Sequence, residues 1–301
     1  MPDTPLAPGL YLVATPIGNL GDITLRALDV LKQADRIACE DTRQTQKLLN
    51  HYSITTSTVS YHEHNERQRS AELIEALRRG SRIAVVSDAG TPGISDPGIV
   101  LVREAIAAGV PVIPIPGANA GLSALIASGL PADDFHFIGF LPEKAGARRT
   151  RLETLATQPR ESTETLIVYE APHRIVDTLA DLEGIFGPAL RVVAARELTK
   201  LHEEFLRGTV AEVRAQLGDR DRIRGEFVLL IEAHKSGATD RPGETSDESS
   251  VTRETLSARV ARLQSESGLD EKDALKRLAR ESGKSKSELY RELQRERARR
   301  K

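Results

Sequence analysis

The chain has 301 residues, enough for two compact domains and an appendage, each able to bury its own core. Its net charge is −2, so no global field draws it to nucleic acid, and any such signal must be local. A single cysteine, Cys39, excludes a disulfide framework and a thiolate metal cluster and fits a reducing, cytoplasmic setting; no apolar run approaches the length of a membrane span.

Met1 to Gly9 is proline-rich and has neither the basic nor the apolar region of a secretory leader. Leu10 to Ala14 predicts a first short strand, followed by the glycine loop Thr15 to Asp22. A helix from Ile23 to Gln33, capped by Asp22 or Thr24, places Ile23, Ala27, Leu28 and Leu31 at helical spacing. Strands are expected at Arg36 to Glu40 and Thr58 to Tyr61, with a helix after Asp41 and another over Asn65 to Arg79. Then Arg82 to Val86 reads as a buried parallel strand, Ile99 onward as a helix closed by Gly109, and Val110 to Ile115 as a fifth strand. A small-residue helix ends near Gly129. The pattern restarts at Phe135, with strands at Phe135 to Phe140, Thr165 to Glu170, Arg191 to Ala195, Glu204 to Gly208 and Glu226 to Ala233. Helices fit Ala147 to Thr157, Pro172 to Ile185 and Val210 to Leu217, and the scarcity of crossovers late in this region predicts a mixed sheet. The expected division is an N-terminal α/β domain over 1–120, a second over 121–235, a polar linker over 236–251, and a basic, helix-turn-helix-like tail over 252–301.

The loop Ser87 to Gly98 carries the most chemistry. It leaves the carboxyl end of a strand, where open α/β sheets bind ligands, and its three glycines let a ligand approach the backbone. It lacks the spacings of a phosphate loop and presents Asp88 and Asp96, which suit hydroxyls or an ammonium group and repel phosphate. Asp88, at the strand tip, is expected to meet the ligand, and Asp96 to cap the following helix. In the second half, Tyr169 to Arg174 and Ala195 to Glu204 crowd charges at strand ends, where they must pair or face a cleft. Pro172 fits the first position of a helix. His62-Glu63-His64 misses metal-site spacing and reads as a polar loop, and Cys39 reads as core.

These loops together resemble the ribosomal RNA small-subunit methyltransferase I family of the tetrapyrrole methylase superfamily. The resemblance rests on Leu12 to Leu20, Glu40-Asp41-Thr42-Arg43, Ser87 to Gly98, Gly139-Phe140-Leu141-Pro142, Pro172-His173-Arg174 and Arg196 to Lys200. It implies two α/β domains of the tetrapyrrole methylase type with a cleft between them, plus a small C-terminal helical domain. It also implies a cytoplasmic homodimer that uses S-adenosylmethionine to methylate the ribose 2′-hydroxyl of one cytidine in the decoding region of 16S rRNA, within the small ribosomal subunit. Asp88, Ala89, Gly90, Ala118 and Asn119 are then expected at the cofactor, together with Pro16 and Gly18.

Methyl transfer from a sulfonium needs alignment more than anion stabilisation, and a ribose hydroxyl needs help losing its proton. Glu170, His173, Arg196, Glu197 and Lys200 are the candidate catalytic side chains, without a metal. Arg43, Arg174, Arg295, Arg297, Arg299 and Arg300 are the candidate RNA contacts, Arg174 and Arg196 being suited to hold phosphates bidentately. Two rivals stay open: a superfamily methylase acting on a small molecule such as a tetrapyrrole, which needs no basic tail, and a non-catalytic RNA-binding factor, which needs no Asp88 loop.

Overall fold

The structure, a computed structural model, describes residues 5–96, 98–234, 260, 263, 270–282 and 293. The chain forms two compact units, Met1–Asp240 and Arg241–Lys301. In the first unit β1 (Gly9–Val13), β2 (Arg36–Cys39), β3 (Thr58–Ser60), β4 (Arg82–Val86) and β5 (Val112–Ile115) make a wholly parallel sheet in the order β3-β2-β4-β1-β5. Helices α1 (Leu25–Gln33), α2 (Thr42–His51), α3 (Glu66–Arg78) and α4 (Ile99–Ala107) make the crossovers. Thr24, not Asp22, caps α1, its Oγ1 accepting from the Ala27 N–H at 3.1 Å.

Side-chain alternation divides this sheet into two cores. Leu10, Ala38, Ile83 and Val85 pack under Leu73 and Leu101 on one face. Tyr11, Val13, Ile37, Ala84 and Val86 pack against Leu31 and Leu49 on the other. Burial on both sides explains why the strands read as nearly continuous apolar runs. The connection from β1 to β2 passes over β4, and that from β4 to β5 passes over β1 in the opposite sense. The carboxyl ends of β1 and β4 are therefore the topological switch point, where a crevice opens.

The second sheet contains β6 (Phe135–Phe140), β7 (Glu164–Glu170), β8 (Arg191–Arg196), β9 (Glu204–Thr209) and β10 (Phe227–Ala233), in the order β6-β7-β10-β8-β9. Only β6 and β7 pair parallel, so the sheet is mixed as expected. Helices α6 (Ala145–Thr157), α7 (Ile175–Phe186) and α8 (Val210–Gly218) cover one face, and α5 (Ala120–Ser128) covers part of the other. Helix α7 starts at Ile175 rather than Pro172. The Glu170 carboxylate accepts from the Ala171 N–H and the Arg174 guanidinium, folding residues 171–174 into a turn before the helix begins. Cys39 is buried in the first sheet, in the core that holds Leu31 and Leu49.

In the second unit α9 (Glu271–Ser282) begins behind Asp270, whose Oδ1 accepts from the Asp273 N–H at 2.7 Å. Ala274, Leu275 and Leu278 pack with Val260, Leu263 and Leu293. The linker, the turn of the helix-turn-helix reading, and Arg295, Arg297, Arg299 and Arg300 lie outside the described residues. No helix among the described residues is long and apolar enough to cross a membrane.

Candidate active site

A cavity of about 580 Å³ opens where the carboxyl ends of the first sheet face the second sheet. That volume lies within the range of small-molecule sites. Ile17, Asp88 to Thr91, Ile94 to Asp96, Asn119 and Ala120 form one wall; Phe140, Tyr169 to His173, Ala195, Leu198, Lys200 and Glu226 to Val228 form the other.

The first wall consists of three loops fastened together by backbone. Thr15 and Gly90 exchange hydrogen bonds at 2.8 and 3.0 Å, joining the loops after β1 and β4 as an antiparallel bridge. Thr91 Oγ1 donates to the Ala118 carbonyl at 3.2 Å and brings in the loop after β5. Gly90 sits at φ +83°, and a Cβ there would lie 3.3 Å from the Ile17 side chain, so the close approach requires glycine. The wall is acidic. Asp88 is exposed and accepts from the Asp41 N–H at 3.1 Å. Burial, then the charge of Asp88, raises the pKa of the neighbouring Glu40.

Asp96 departs from its expected role. Gly98 holds the N-cap position of α4 and makes no side-chain cap bond, so Asp96 is not the cap. It stands on the cavity wall instead, where burial, followed by the charges of Glu40 and Asp88, pushes its pKa up to about 6. A carboxylate two residues before the N-cap was indistinguishable in sequence from one that caps.

On the second wall the Glu170 side chain is fully buried and both its oxygens are taken. Oε1 accepts from the Ala171 N–H at 2.8 Å and from Arg174 Nε and Nη2 at 2.7 and 2.5 Å, while Oε2 accepts from Thr178 Oγ1 at 2.8 Å. Arg174 also donates to the Leu141 carbonyl. The pair holds β7 to α7, so the carboxylate and guanidinium expected to serve catalysis and phosphate binding are engaged with each other. Arg196 turns away from the cavity, donating to the Arg224 carbonyl at 2.6 Å and pairing with Glu204 at 3.4 Å. Arg43 is exposed on the surface and paired with Asp41.

Lys200 does reach the cavity. Its ammonium lies 2.8 Å from Glu197 and 2.9 Å from Glu226, and its stem crosses Gly18, where a Cβ would come within 2.9 Å of Lys200 Cε. Burial alone would lower the Lys200 pKa, but the two carboxylates outweigh it and raise it. The lysine hydrogen bond, opposed by burial, holds Glu197 below its usual value. The segment is strained: Glu197 and the β-branched Thr199 have φ of +50° and +66°, and the buried Thr199 hydroxyl has no hydrogen-bond partner among the described residues. His173 also lines the cavity.

The structure thus brings Asp88, Ala89, Gly90, Asn119, Glu170, His173 and Lys200 to one cavity. Pro16 and Gly18 flank the lining residue Ile17, and Ala118 contributes a carbonyl bond behind the wall. Sequence reasoning missed Phe140 and Tyr169, whose rings meet edge to face at 5.6 Å. Their position at strand tips was the available signal. Among the described residues no group of His, Cys, Asp and Glu is arranged to hold a metal.

Comparison with known proteins agrees with this architecture. Residues 9–214 match the family model of the Tetrapyrrole (Corrin/Porphyrin) Methylases. A Halalkalibacterium halodurans protein named ribosomal RNA small subunit methyltransferase I is 50% identical over 281 residues, 93% of either chain. A Synechocystis protein of the same name is 48% identical over 93% of this chain and 95% of its own. The crystal structure of a Thermus thermophilus uroporphyrin-III C-methyltransferase complexed with S-adenosylhomocysteine superposes with a TM-score of 0.50 at 22% identity. It covers 74% of this chain and 96% of that one. The chain belongs to the tetrapyrrole methylase family and, within it, to the ribosomal RNA small subunit methyltransferase I group.

Proposed function

We propose that this protein transfers the methyl group of S-adenosylmethionine to the ribose 2′-hydroxyl of a cytidine in the decoding region of 16S rRNA. The relatives' names support the rRNA substrate and the methyl transfer. The observation that carries the cofactor is the chemistry of the first wall. It offers the carboxylate of Asp88 and close glycine backbone, with no lysine or arginine among its lining residues. Such a donor set fits a sulfonium, an ammonium group and sugar hydroxyls, and it repels a nucleotide's phosphates. The related uroporphyrin-III methyltransferase, captured with S-adenosylhomocysteine, supports the same reading. Asp88, Ala89, Gly90, Asn119 and Ile17 are the residues that would hold the cofactor.

When bound, S-adenosylmethionine supplies an electrophilic methyl group on a positively charged sulfur. The protein's part is alignment: the bridged loops fix one reactant, and the opposite wall fixes the other. On that wall Lys200 is a preorganised cation able to face the RNA backbone, and Phe140, exposed at 59%, offers a ring to an unstacked base. The exposed Leu122 and Ile126, one turn apart on α5, suit the homodimer that the family resemblance implies. The substrate places the work in the cytoplasm, and the basic residues near Lys301 add phosphate contacts.

Incubation with labelled S-adenosylmethionine and unmethylated small ribosomal subunits tests this reading, with the label mapped by nuclease digestion. Label on a 2′-oxygen of a decoding-region cytidine is expected. Label on a base, or only on a tetrapyrrole offered in parallel, refutes it. Asp88→Ala should weaken cofactor binding about tenfold or more, since a hydrogen bond to a charged group contributes ~1.5–3 kcal/mol.

A further inference from the structure

Methylating a hydroxyl releases a proton, and the cavity wall shows which side chains can take it. Four carboxylates line the cavity: Asp88, Asp96, Glu170 and Glu226. Three of them accept hydrogen bonds from neighbours. Glu170 is saturated by four donors, Glu226 accepts from Lys200, and Asp88 accepts from the Asp41 N–H. An oxygen that already accepts from a neighbour has fewer lone pairs free to meet a substrate hydroxyl. Asp96 is left without a hydrogen-bond or ion-pair partner among the described residues.

Its placement is also built by the backbone. Ser95, immediately before it, has a φ of +60°. Across the cleft Gly139 has a φ of +74°, at the point where the register of β6 shifts against β7, and a Cβ on it would lie 3.2 Å from Ser95 Oγ. A left-handed residue on each side of the seam lets the Ser95 loop meet the bulged strand β6, and Asp96 is carried to the wall beside Tyr169. Strain of this kind persists where the surrounding structure holds it in place, and it gathers at functional sites.

We propose that Asp96 is the general base of the reaction, accepting the proton of the target hydroxyl. The inference rests on the methyl-transfer reading above. In the step, the substrate oxygen forms a bond to the methyl carbon and the methyl–sulfur bond breaks with its electron pair going to sulfur. The hydroxyl proton passes to an Asp96 carboxylate oxygen. Burial, then the charges of Glu40 and Asp88, set the proton affinity of Asp96, while Tyr169, His173, Lys200 and Glu226 line the facing wall of the cavity. The two carboxylates on its own side favour the protonated form, and burial does so more strongly, keeping the site competent as a base near neutral pH.

The test is Asp96→Asn, which keeps the shape and removes the base. Three quantities are measured on full-length protein: carboxyl 13C chemical shifts against pH without ligand, S-adenosylhomocysteine binding by calorimetry, and single-turnover methylation of small ribosomal subunits from pH 5 to 8.5. In the wild type one carboxyl should titrate near pH 6, and that resonance should vanish in the variant. Binding should stay within about threefold, single-turnover rate should fall about 100-fold or more, and the wild-type rise in rate through pH 6 should disappear. A variant that keeps the rate or the inflection overturns the assignment and points to His173. A variant that loses binding makes Asp96 a cofactor ligand and also overturns it. If wild-type protein binds the cofactor but leaves the subunit unmethylated, the functional reading itself has failed, and the base assignment falls with it.

Discussion

Removing Glu170 distinguishes a structural carboxylate from a reacting one. In the structure its side chain is inaccessible to solvent, and Arg174 is 12% exposed. Glu170→Ala strips the guanidinium of both short bonds, leaving only the Leu141 carbonyl at 3.3 Å, and strands the Thr178 hydroxyl and the Ala171 N–H. Breaking a buried pair from one side costs about 3–5 kcal/mol, because the surviving charge stays buried without its partner. The expected result is a folding free energy lower by that amount in urea titrations. Glu170→Met with Arg174→Met should recover a good part of it, since removing both charges removes the stranded one. Activity, measured at a temperature where both proteins are folded, should fall less than tenfold in Glu170→Gln. If Glu170→Ala unfolds within about 1 kcal/mol of the wild type while Glu170→Gln loses about 100-fold in turnover, the argument from saturation is refuted, and Glu170 meets the substrate after all.

Two further expectations follow from neighbouring geometry. Gly18→Ala should push the Lys200 stem off its path and lower methylation about 10–100-fold, because small displacements in an aligned site are costly. Stability should change by less than ~1 kcal/mol, since the displaced ion pairs are partly solvated; unchanged activity, or unfolding, would contradict this. Asp96 has a folded-state pKa raised from 3.8 to about 6, so the native state holds its proton more tightly than the unfolded chain does. Its contribution to stability is present below about pH 4 and is lost as pH rises through about 6, a change of at most ~3 kcal/mol. Asp96→Asn should thus gain on the wild type between those pH values in denaturation curves; a constant difference would refute the assigned shift.

The strand order along the chain was legible because local physics dictates it. Arg82–Val86 and Phe135–Phe140 are runs bounded by turn-formers, and both appear at the expected positions. Pairing was less legible. The sequence shows that β10 is apolar, but its insertion between β7 and β8 is decided by contacts distant in the chain. The site divided in the same way. Asp88 could be placed from the strand tip it follows, whereas the fates of Asp96, Glu170 and Arg196 depended on which donors the fold brought near. Charge crowding at strand ends correctly marked the region without separating internal ties from cavity-facing groups. Lys200 shows why: its partners Glu197 and Glu226 lie on different strand ends, joined only by the folded sheet.

The seam between the two sheets also constrains how such proteins can be recombined. Gly18 lies beneath the Lys200 stem, and Gly139 faces Ser95. Each contact joins residues from distant parts of the chain. A hybrid that takes its first sheet from one parent and its second from another inherits intact cores and a mismatched seam. It should fold and still fail to hold the two reactants in line. Exchanging substrate preference within this family therefore requires moving the seam glycines with the wall they face, so that the unit of inheritance is the interface rather than the sheet.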